Sequence, residues 1–215
     1  MHLKRQEAPK NWPIFRKGTK YIVTPEFDTK KGVPLLIVLR DMLKVVQNRK
    51  EAKRIIHLRQ ILMNNKPASD EKNNLLLFDT LTLIPSKKYY KMDLLNGGRF
   101  NLTEIKEKEA NYKLAKLINK TTLKGKKTQL NCEDGRNFIS DIKCSVGDSL
   151  FVNFKDKKVE KCIQLKENSK VFVFSGKHSG KSGVAKKIYK DRGIAEVDID
   201  GKPINVLIKQ FLAVE

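Results

Sequence analysis

Pro34-Leu35-Leu36-Ile37-Val38-Leu39-Arg40-Asp41-Met42-Leu43, followed by Asn48-Arg49-Lys50-Glu51-Ala52-Lys53-Arg54-Ile55-Ile56, is the stretch whose reading decides the fold. Pro34 stands where a helix can open, because its fixed φ suits a first helical turn. Leu36, Leu39, Leu43 and Val46 recur at helical spacing, with Arg40 and Lys44 on another face. Asn48 with Glu51 three residues on forms a capping-box-like pair, which starts a second helix running from about Arg49 to Gln60. Ala52, Ile55 and Ile56 make its inward side, and Arg49, Lys53, Arg54 and His57 its outward side. The expectation is a small unit that buries Leu36, Leu39, Leu43, Ile55 and Ile56. Its one basic face is formed by Arg40, Lys44, Arg49, Lys53 and Arg54.

Beyond the second helix, Ile61-Leu62-Met63 reads as a short strand. It is followed by a turn at Asn64-Asn65-Lys66-Pro67, since asparagine tolerates the left-handed conformation. Leu75–Leu83 has β-type apolar runs. After Gly97-Gly98 the pattern changes. Glu104–Leu117 has helical character, with Ala110, Leu114 and Leu117 on one side and Lys113 and Lys116 displayed elsewhere. Short strands are expected at Thr128–Asn131, Ser149–Phe154, Val159–Leu165, Val171–Phe174, Ile194–Ile199 and Ile204–Ile208. Glu133-Asp134-Gly135-Arg136 reads as a turn and Asp200-Gly201 as a hairpin turn. Towards the N-terminus, residues 1–32 lack sustained periodicity and read as an extended arm that orders on RNA. Its anchors are Trp12, Ile14, Phe15, Tyr21 and Ile22.

Charge narrows the function. The 215 residues carry 45 Lys and Arg against 24 Asp and Glu, a net charge of +21. Such an excess repels itself on compaction and makes physical sense against a polyanion, by default nucleic acid. Residues 110–132 and 168–190 contain no acid at all, yet each is interleaved with apolar residues that build folded structure. A histone-like tail would concentrate charge in one arm, and a merely solvated lysine surface would mix signs. The apolar run ending at Leu39 is well short of a membrane span. The three cysteines, Cys132, Cys144 and Cys162, are odd in number and have no C-x-x-C spacing, so they read as small hydrophobes. His2, His57 and His178 suggest no ligand cluster.

Gly176-Lys177-His178-Ser179-Gly180-Lys181-Ser182 invites a phosphate-loop reading. That loop needs a glycine at position 175, which is Ser175, and a long helix after it, which Gly183 interrupts. The alternative is a turn between strands that uses Gly176, Gly180 and Gly183 for backbone geometry and offers Lys177, His178 and Lys181 to RNA phosphates. Asp28, Asp41, Asp79 and Asp93 are isolated among lysines, and no Cys/His or Ser/His/Asp arrangement stands out. Trp12, Tyr21, Tyr89, Tyr90 and Phe100 lie near cations and are candidates for base stacking or for packing.

His2-Leu3-Lys4-Arg5, Ala8-Pro9-Lys10-Asn11-Trp12, Pro34–Leu43 and Glu51–Ile56 resemble the opening of the archaeal and eukaryotic small-subunit ribosomal protein family S4e. The resemblance continues through Asn96-Gly97-Gly98-Arg99-Phe100, Tyr112-Lys113-Leu114, Gln129-Leu130-Asn131, Asp134-Gly135-Arg136-Asn137 and Gly147-Asp148-Ser149. Phe174-Ser175-Gly176 through Gly183-Val184 is similar to a KOW module, a small RNA-binding barrel. Two places depart from the family pattern. The turn that usually reads Asp-Gly-Lys-Val-Arg is Asn64-Asn65-Lys66-Pro67-Ala68, one basic contact fewer. The customary Tyr, Pro and Gly before the next strand are replaced in the Lys72–Leu76 region. The chain starts at the His-Leu-Lys-Arg motif and has no long C-terminal tail, which the resemblance reads as an archaeal or reduced form.

The resemblance implies an α+β protein in four parts. These are an N-terminal extension (1–38), a small α/β RNA-binding domain of the S4 type (39–95), a central β-rich domain (96–168) and a C-terminal SH3-like KOW β-barrel (169–215). It implies a non-catalytic constituent of the small ribosomal subunit in the cytoplasm, with no cofactor, metal, membrane or small-molecule substrate. The expected partners are small-subunit rRNA and neighbouring ribosomal proteins. The expected RNA contacts are Lys4, Arg5, Lys10, Trp12, Arg40, Lys44, Arg49, Lys53, Arg54, Arg99, Lys120, Lys124, Lys126, Lys127, Lys177, His178 and Lys181. A non-ribosomal transcription or translation factor, or a subunit of an RNA-modifying enzyme built on the same modules, remains the alternative.

Overall fold

The strand Gly32–Pro34 ends where the helix begins. It pairs antiparallel with Asn74–Leu76, and Pro34, at φ −61°, caps a helical segment made of Leu35–Ile37 and a π-turn over Val38–Met42. The structure, a computed structural model, describes residues 2–125, 127–189 and 191–214. It divides into two compact units, one of Met1–Leu94 and Arg99–Asn111, the other of Leu95–Gly98 and Tyr112–Glu215. Most regular structure is β.

In the first unit the helical segment is buried all round from Leu35 to Leu39, so it forms the core rather than a two-faced surface helix. Lys44, at φ +54°, ends it. The second helix, Arg49–His57, starts as its sequence demands. The Asn48 side chain accepts from the Glu51 amide at 3.1 Å, and the Glu51 carboxylate accepts from the Gln47 amide at 2.8 Å. The Glu51 amide, a donor that the first turn leaves open, is thus satisfied, and the Gln47 amide just before the cap is tied down with it. Ala52 and Ile56 are buried, whereas Ile55 and Leu43 are only half-buried. The helix ends three residues short of Gln60, with Arg59 at φ +53°.

A five-stranded sheet follows, in the order Lys66–Pro67, Ile61–Met63, Thr80–Leu83, Lys88–Leu95, Arg99–Ile105. Asn64 and Asn65 close its first hairpin with φ of +51° and +59°, the geometry of a tight two-residue turn. Asn64 does more than turn. Its buried side chain donates to Asp79 at 2.9 Å and accepts from the Thr80 amide at 2.9 Å. The apolar runs expected over Leu75–Leu83 form two strands, Asn74–Leu76 and Thr80–Leu83, parted at Phe78, where φ is +61° and the amide bonds to Met92 O at 2.8 Å.

The N-terminal segment is no loose arm. Leu3–Lys4 pairs with Tyr21–Ile22, Ala8 and Trp12 are buried, and the indole NH of Trp12 donates to Gly32 O at 2.9 Å. An aromatic ring with a satisfied NH makes a strong local anchor without any RNA.

The second unit holds two five-stranded antiparallel sheets. The first runs Asn137–Ile139, Thr128–Cys132, Tyr112–Thr122, Ser149–Asn153, Lys158–Ile163. The helix expected over Glu104–Leu117 is absent. Arg99–Ile105 and Tyr112–Thr122 are strands, with only a 3-10 turn at Glu109–Asn111 between them. The strand period of two puts Lys113, Ala115 and Leu117 on one face. Ala115, Leu117, Leu130, Leu150 and Val152 form the core there, and Cys132, Cys144 and Cys162 pack in the same cluster. The second sheet runs Lys202–Leu207, Ile194–Ile199, Ser182–Tyr189, Lys170–Val173, Phe211–Ala213, over a core of Val171, Val173, Ala185, Val197, Ile199 and Phe211. Asp200 and Gly201 turn its edge hairpin, between Ile194–Ile199 and Lys202–Leu207, at φ +56° and +77°.

Candidate nucleic-acid interface

The expected basic face of the helical pair is partly neutralised by its own acids. Arg49 and Lys53 both reach Glu71, which is 1% exposed, at 2.8 Å from Arg49 Nε and 3.7 Å from Lys53 Nζ. Burying a carboxylate demands such partners. These two cations therefore stabilise the unit while their outer edges stay in water. Arg40 pairs with the adjacent Asp41 at 2.9 Å and is half-buried. Lys44 and Arg54 are exposed and form no ion pair among the described residues. In the N-terminal segment Lys4 and Lys10 are exposed. Arg5 is committed internally: its guanidinium donates to Thr19 O at 2.7 Å, Thr19 Oγ1 at 2.7 Å and Phe15 O at 2.9 Å. Trp12, expected as a contact, is 3% exposed and closed to a base. Arg99 is exposed.

The central hairpin between Tyr112–Thr122 and Thr128–Cys132 carries a tighter group. Leu123 N bonds to Lys127 O at 2.8 Å across the turn, with Gly125 at φ +80°. Lys124 and Lys127 are exposed on that turn and Lys120 is half-buried beside it, while Lys126 lies outside the described residues. No acid stands within this hairpin to compete for them.

Lys113 and Lys116, expected at the surface, are interior. Lys113 Nζ lies 2.9 Å from Asp134, which sits in the turn read from the sequence. Burial alone would raise the Asp134 carboxyl, but the Lys113 charge and hydrogen bond, helped by Arg136, hold it below its ordinary value. Lys116 points to the opposite side of the strand. Its ammonium donates to the carbonyls of Ile208 and Phe211 and lies 5.1 Å from the Phe211 ring centroid and 5.8 Å from that of Phe174. Burial pulls its pKa from 10.5 to about 8, against the opposing pull of Glu133. Neither lysine is available to phosphate. Only their long-range partners reveal this, so no local signal could have.

The glycine-rich turn is a strand connection. Gly176 and Gly180 adopt φ of +90° and +88°, Ser179 Oγ donates to Phe174 O at 3.0 Å, and Gly180 N bonds to Val173 O at 2.8 Å. A Cβ on Gly180 would fall 2.1 Å from Leu95 O, and one on Gly183 would fall 2.4 Å from Asp198 O. The segment then enters the strand Ser182–Tyr189, so the helix N-terminus that a phosphate loop aims at its ligand is missing here. Lys177 is exposed and His178 half-buried. Lys181 is tied to Asp200 at 2.8 Å, and that contact lowers the Asp200 carboxyl. As for reactive side chains, burial pushes Cys132 up to about 12 and raises Cys162 as well, so both remain thiols at neutral pH. No group of three or more His, Cys, Asp or Glu among the described residues is placed to hold a metal. No helix among the described residues is long and apolar enough to cross a membrane.

The pattern described as ribosomal family S4e matches residues 86–159, and the RS4NT (NUC023) domain matches residues 1–27. The small ribosomal subunit protein eS4 of Methanocella arvoryzae is 35% identical over 190 residues, spanning 87% of this chain and 80% of its own. The chain belongs to the S4e family of ribosomal proteins. The S4e protein of Haloarcula marismortui is likewise 35% identical, over 92% of this chain and 86% of its own. The crystal structure of 30S ribosomal protein S4e from Thermoplasma acidophilum has the same fold, with a TM-score of 0.72 and 26% identity over 86% of this chain and 95% of that one. The two matched S4e stretches contain the opening His2–Trp12 motifs and the central motifs from Asn96 to Ser149. The helical pair and the glycine-rich turn lie outside them.

Proposed function

We propose that this S4e protein is a non-catalytic constituent of the small ribosomal subunit in the cytoplasm, holding folded rRNA by phosphate contacts beside neighbouring ribosomal proteins. The observation that carries the reading is the central hairpin, whose own sequence is acid-free and whose Lys120, Lys124 and Lys127 form no ion pair among the described residues. Lys4, Lys10, Lys44, Arg54, Arg99 and Lys177 add exposed cations from several sheets and loops. Arg49, Lys53, Arg5 and Lys181 act mainly as braces that keep the surfaces in shape. Phosphate contacts of this kind fix register and orientation, while shape selects the site. We read the chain in four parts: 1–38 as an anchored extension, 39–95 as the S4-type RNA-binding domain, 96–168 as the central β-rich domain and 169–215 as the KOW barrel. Two separate hydrophobic cores within residues 112–214 support the boundary near 169.

Salt dependence tests the reading. Changing Lys120, Lys124, Lys126 and Lys127 to Gln should flatten the slope of log affinity for deproteinised small-subunit rRNA against log salt by about 3, at roughly 0.7–0.9 per lost phosphate contact. The native protein should sediment with free small subunits at moderate salt. An unchanged slope together with no co-sedimentation would sink the proposal.

A further inference from the structure

Phe15 is 87% exposed, ahead of Ile139 and Val146 at 62%. It sits on a loop that is fastened on both sides. The Arg5 guanidinium donates to the carbonyls of Phe15 and Thr19 at 2.9 and 2.7 Å and to Thr19 Oγ1 at 2.7 Å. Gly18, at φ +140°, lets that guanidinium in: a Cβ there would lie 3.2 Å from Arg5 Cζ. On the other side Ile14 N bonds to Trp12 O at 2.9 Å, and Arg16 donates to the carbonyl of buried Ala8 at 2.9 Å. An arginine bonded to three internal acceptors and a buried tryptophan thus hold one apolar ring out in water. A ring in a fixed backbone frame loses little conformational freedom when a partner arrives.

The surroundings select the partner. Lys17 and Lys20 are exposed on the same loop. Lys20 Nζ lies 5.4 Å from the Tyr21 ring centroid, and His2 stands 5.4 Å from that ring on its other contact. The single acid of residues 1–25, Glu7, accepts from the Lys4 amide at 3.3 Å. Flat π faces beside cations with little opposing charge suit an unpaired base on a phosphate backbone. An apolar pocket on a protein would gain nothing from the lysines.

We propose that Phe15 is a base-stacking residue: the Arg5-braced loop presents its ring to an unpaired RNA base, with Lys17 and Lys20 on the neighbouring phosphates. This rests on the RNA-binding reading above and adds to it a contact to a base rather than to phosphate.

The test uses the full chain and deproteinised small-subunit rRNA, with affinity measured across a salt series. Phe15→Ala should weaken binding roughly 5- to 150-fold, as expected for one lost base stack, and should leave the log–log salt slope unchanged. Lys17→Gln should instead reduce that slope by about 0.7–0.9. Phe15→Trp should retain affinity, and Phe15→Leu should lose most of it because a branched alkyl group cannot stack. All four variants should melt as the native protein does, since the Phe15 ring touches little. If the native chain binds rRNA and Phe15→Ala binds it equally well, the inference is wrong and the RNA-binding reading stands. Equal rRNA affinity combined with lower occupancy in assembled subunits would mean that Phe15 seats in a neighbouring protein, which also overturns it. Failure of the native chain to bind rRNA would sink both readings.

Discussion

Gly183→Ala should damage the C-terminal sheet far more than a single methyl group suggests. Gly183 is paired with Val171 in one neighbouring strand. On the other side an added Cβ would lie 2.4 Å from Asp198 O, 2.9 Å from Val197 Cγ1 and 3.0 Å from Ile199 Cγ1. Val197 and Ile199 are both at most 1% exposed, so neither can swing out, and the nearest atom is backbone. Real Cβ atoms do not approach a carbonyl so closely, so the strand pair itself must shift. Overpacking of a tight core costs about 1–3 kcal/mol, and the backbone displacement puts this case at the upper end, about 3 kcal/mol. Gly201→Ala is the internal control. It carries positive φ, +77°, but a Cβ there meets nothing within 4 Å, so only the left-handed strain of about 1 kcal/mol applies. Ser182→Ala, at an exposed position, should stay within about 0.5 kcal/mol. Hydrogen exchange read by mass spectrometry separates the sheets. About 3 kcal/mol should speed exchange of the 171–173 and 194–199 amides by roughly two decades, while the 33–39 segment is unchanged. Native-like protection of Gly183→Ala, or equal damage from Gly201→Ala, would refute the argument.

Lys116 makes stability depend on alkaline pH. Its pKa is lowered from 10.5 to about 8, so the folded protein holds that proton more weakly than the unfolded chain. Stability should therefore rise between those two values, by at most about 3 kcal/mol. Lys116→Met should remove this rise, as denaturant unfolding of both proteins at the two ends of the window would reveal. Trp12→Ala should cost about 3–5 kcal/mol, because it empties a buried site. Limited proteolysis should find residues 1–32 protected in the free native protein and cleaved in the variant.

Features set by neighbouring residues were legible in the sequence. The Asn48 cap with Glu51, the left-handed Asn64-Asn65 turn and the Asp200-Gly201 hairpin each follow from side-chain chemistry within a few positions. The strand Ile194–Ile199 has the bounds its alternation predicts. Tyr112–Thr122 was misread because Ala110, Leu114 and Leu117 fit a helical stripe, whereas the deciding partners are Ser149–Asn153 and Thr128–Cys132. Long-range pairing overrode local pattern there. The candidate interface was legible as a composition and only partly as residues. Lysines that are bare (Lys124, Lys127), braced by acids (Lys53, Lys181) or interior (Lys113, Lys116) look alike in a string of letters. Arg5 and Trp12 were recognisable as important, but what they do is hold the loop and the arm in place.

The Lys113–Asp134 pair has a bearing on how this sequence can drift over time. Their side chains are 3% and 8% exposed and meet at 2.9 Å. Losing Asp134 strands the buried Lys113 charge, and losing Lys113 leaves Asp134 with Arg136 at 3.9 Å; breaking a buried pair costs about 3–5 kcal/mol, a large share of a typical domain's stability. Replacing both by apolar side chains of similar size costs little or nothing. The two positions are therefore joined by a fitness valley: descendants keep both residues or lose both together. In a lineage that must stay strongly cationic, this lysine is preserved by its carboxylate, and selection for nucleic-acid affinity does not act on it.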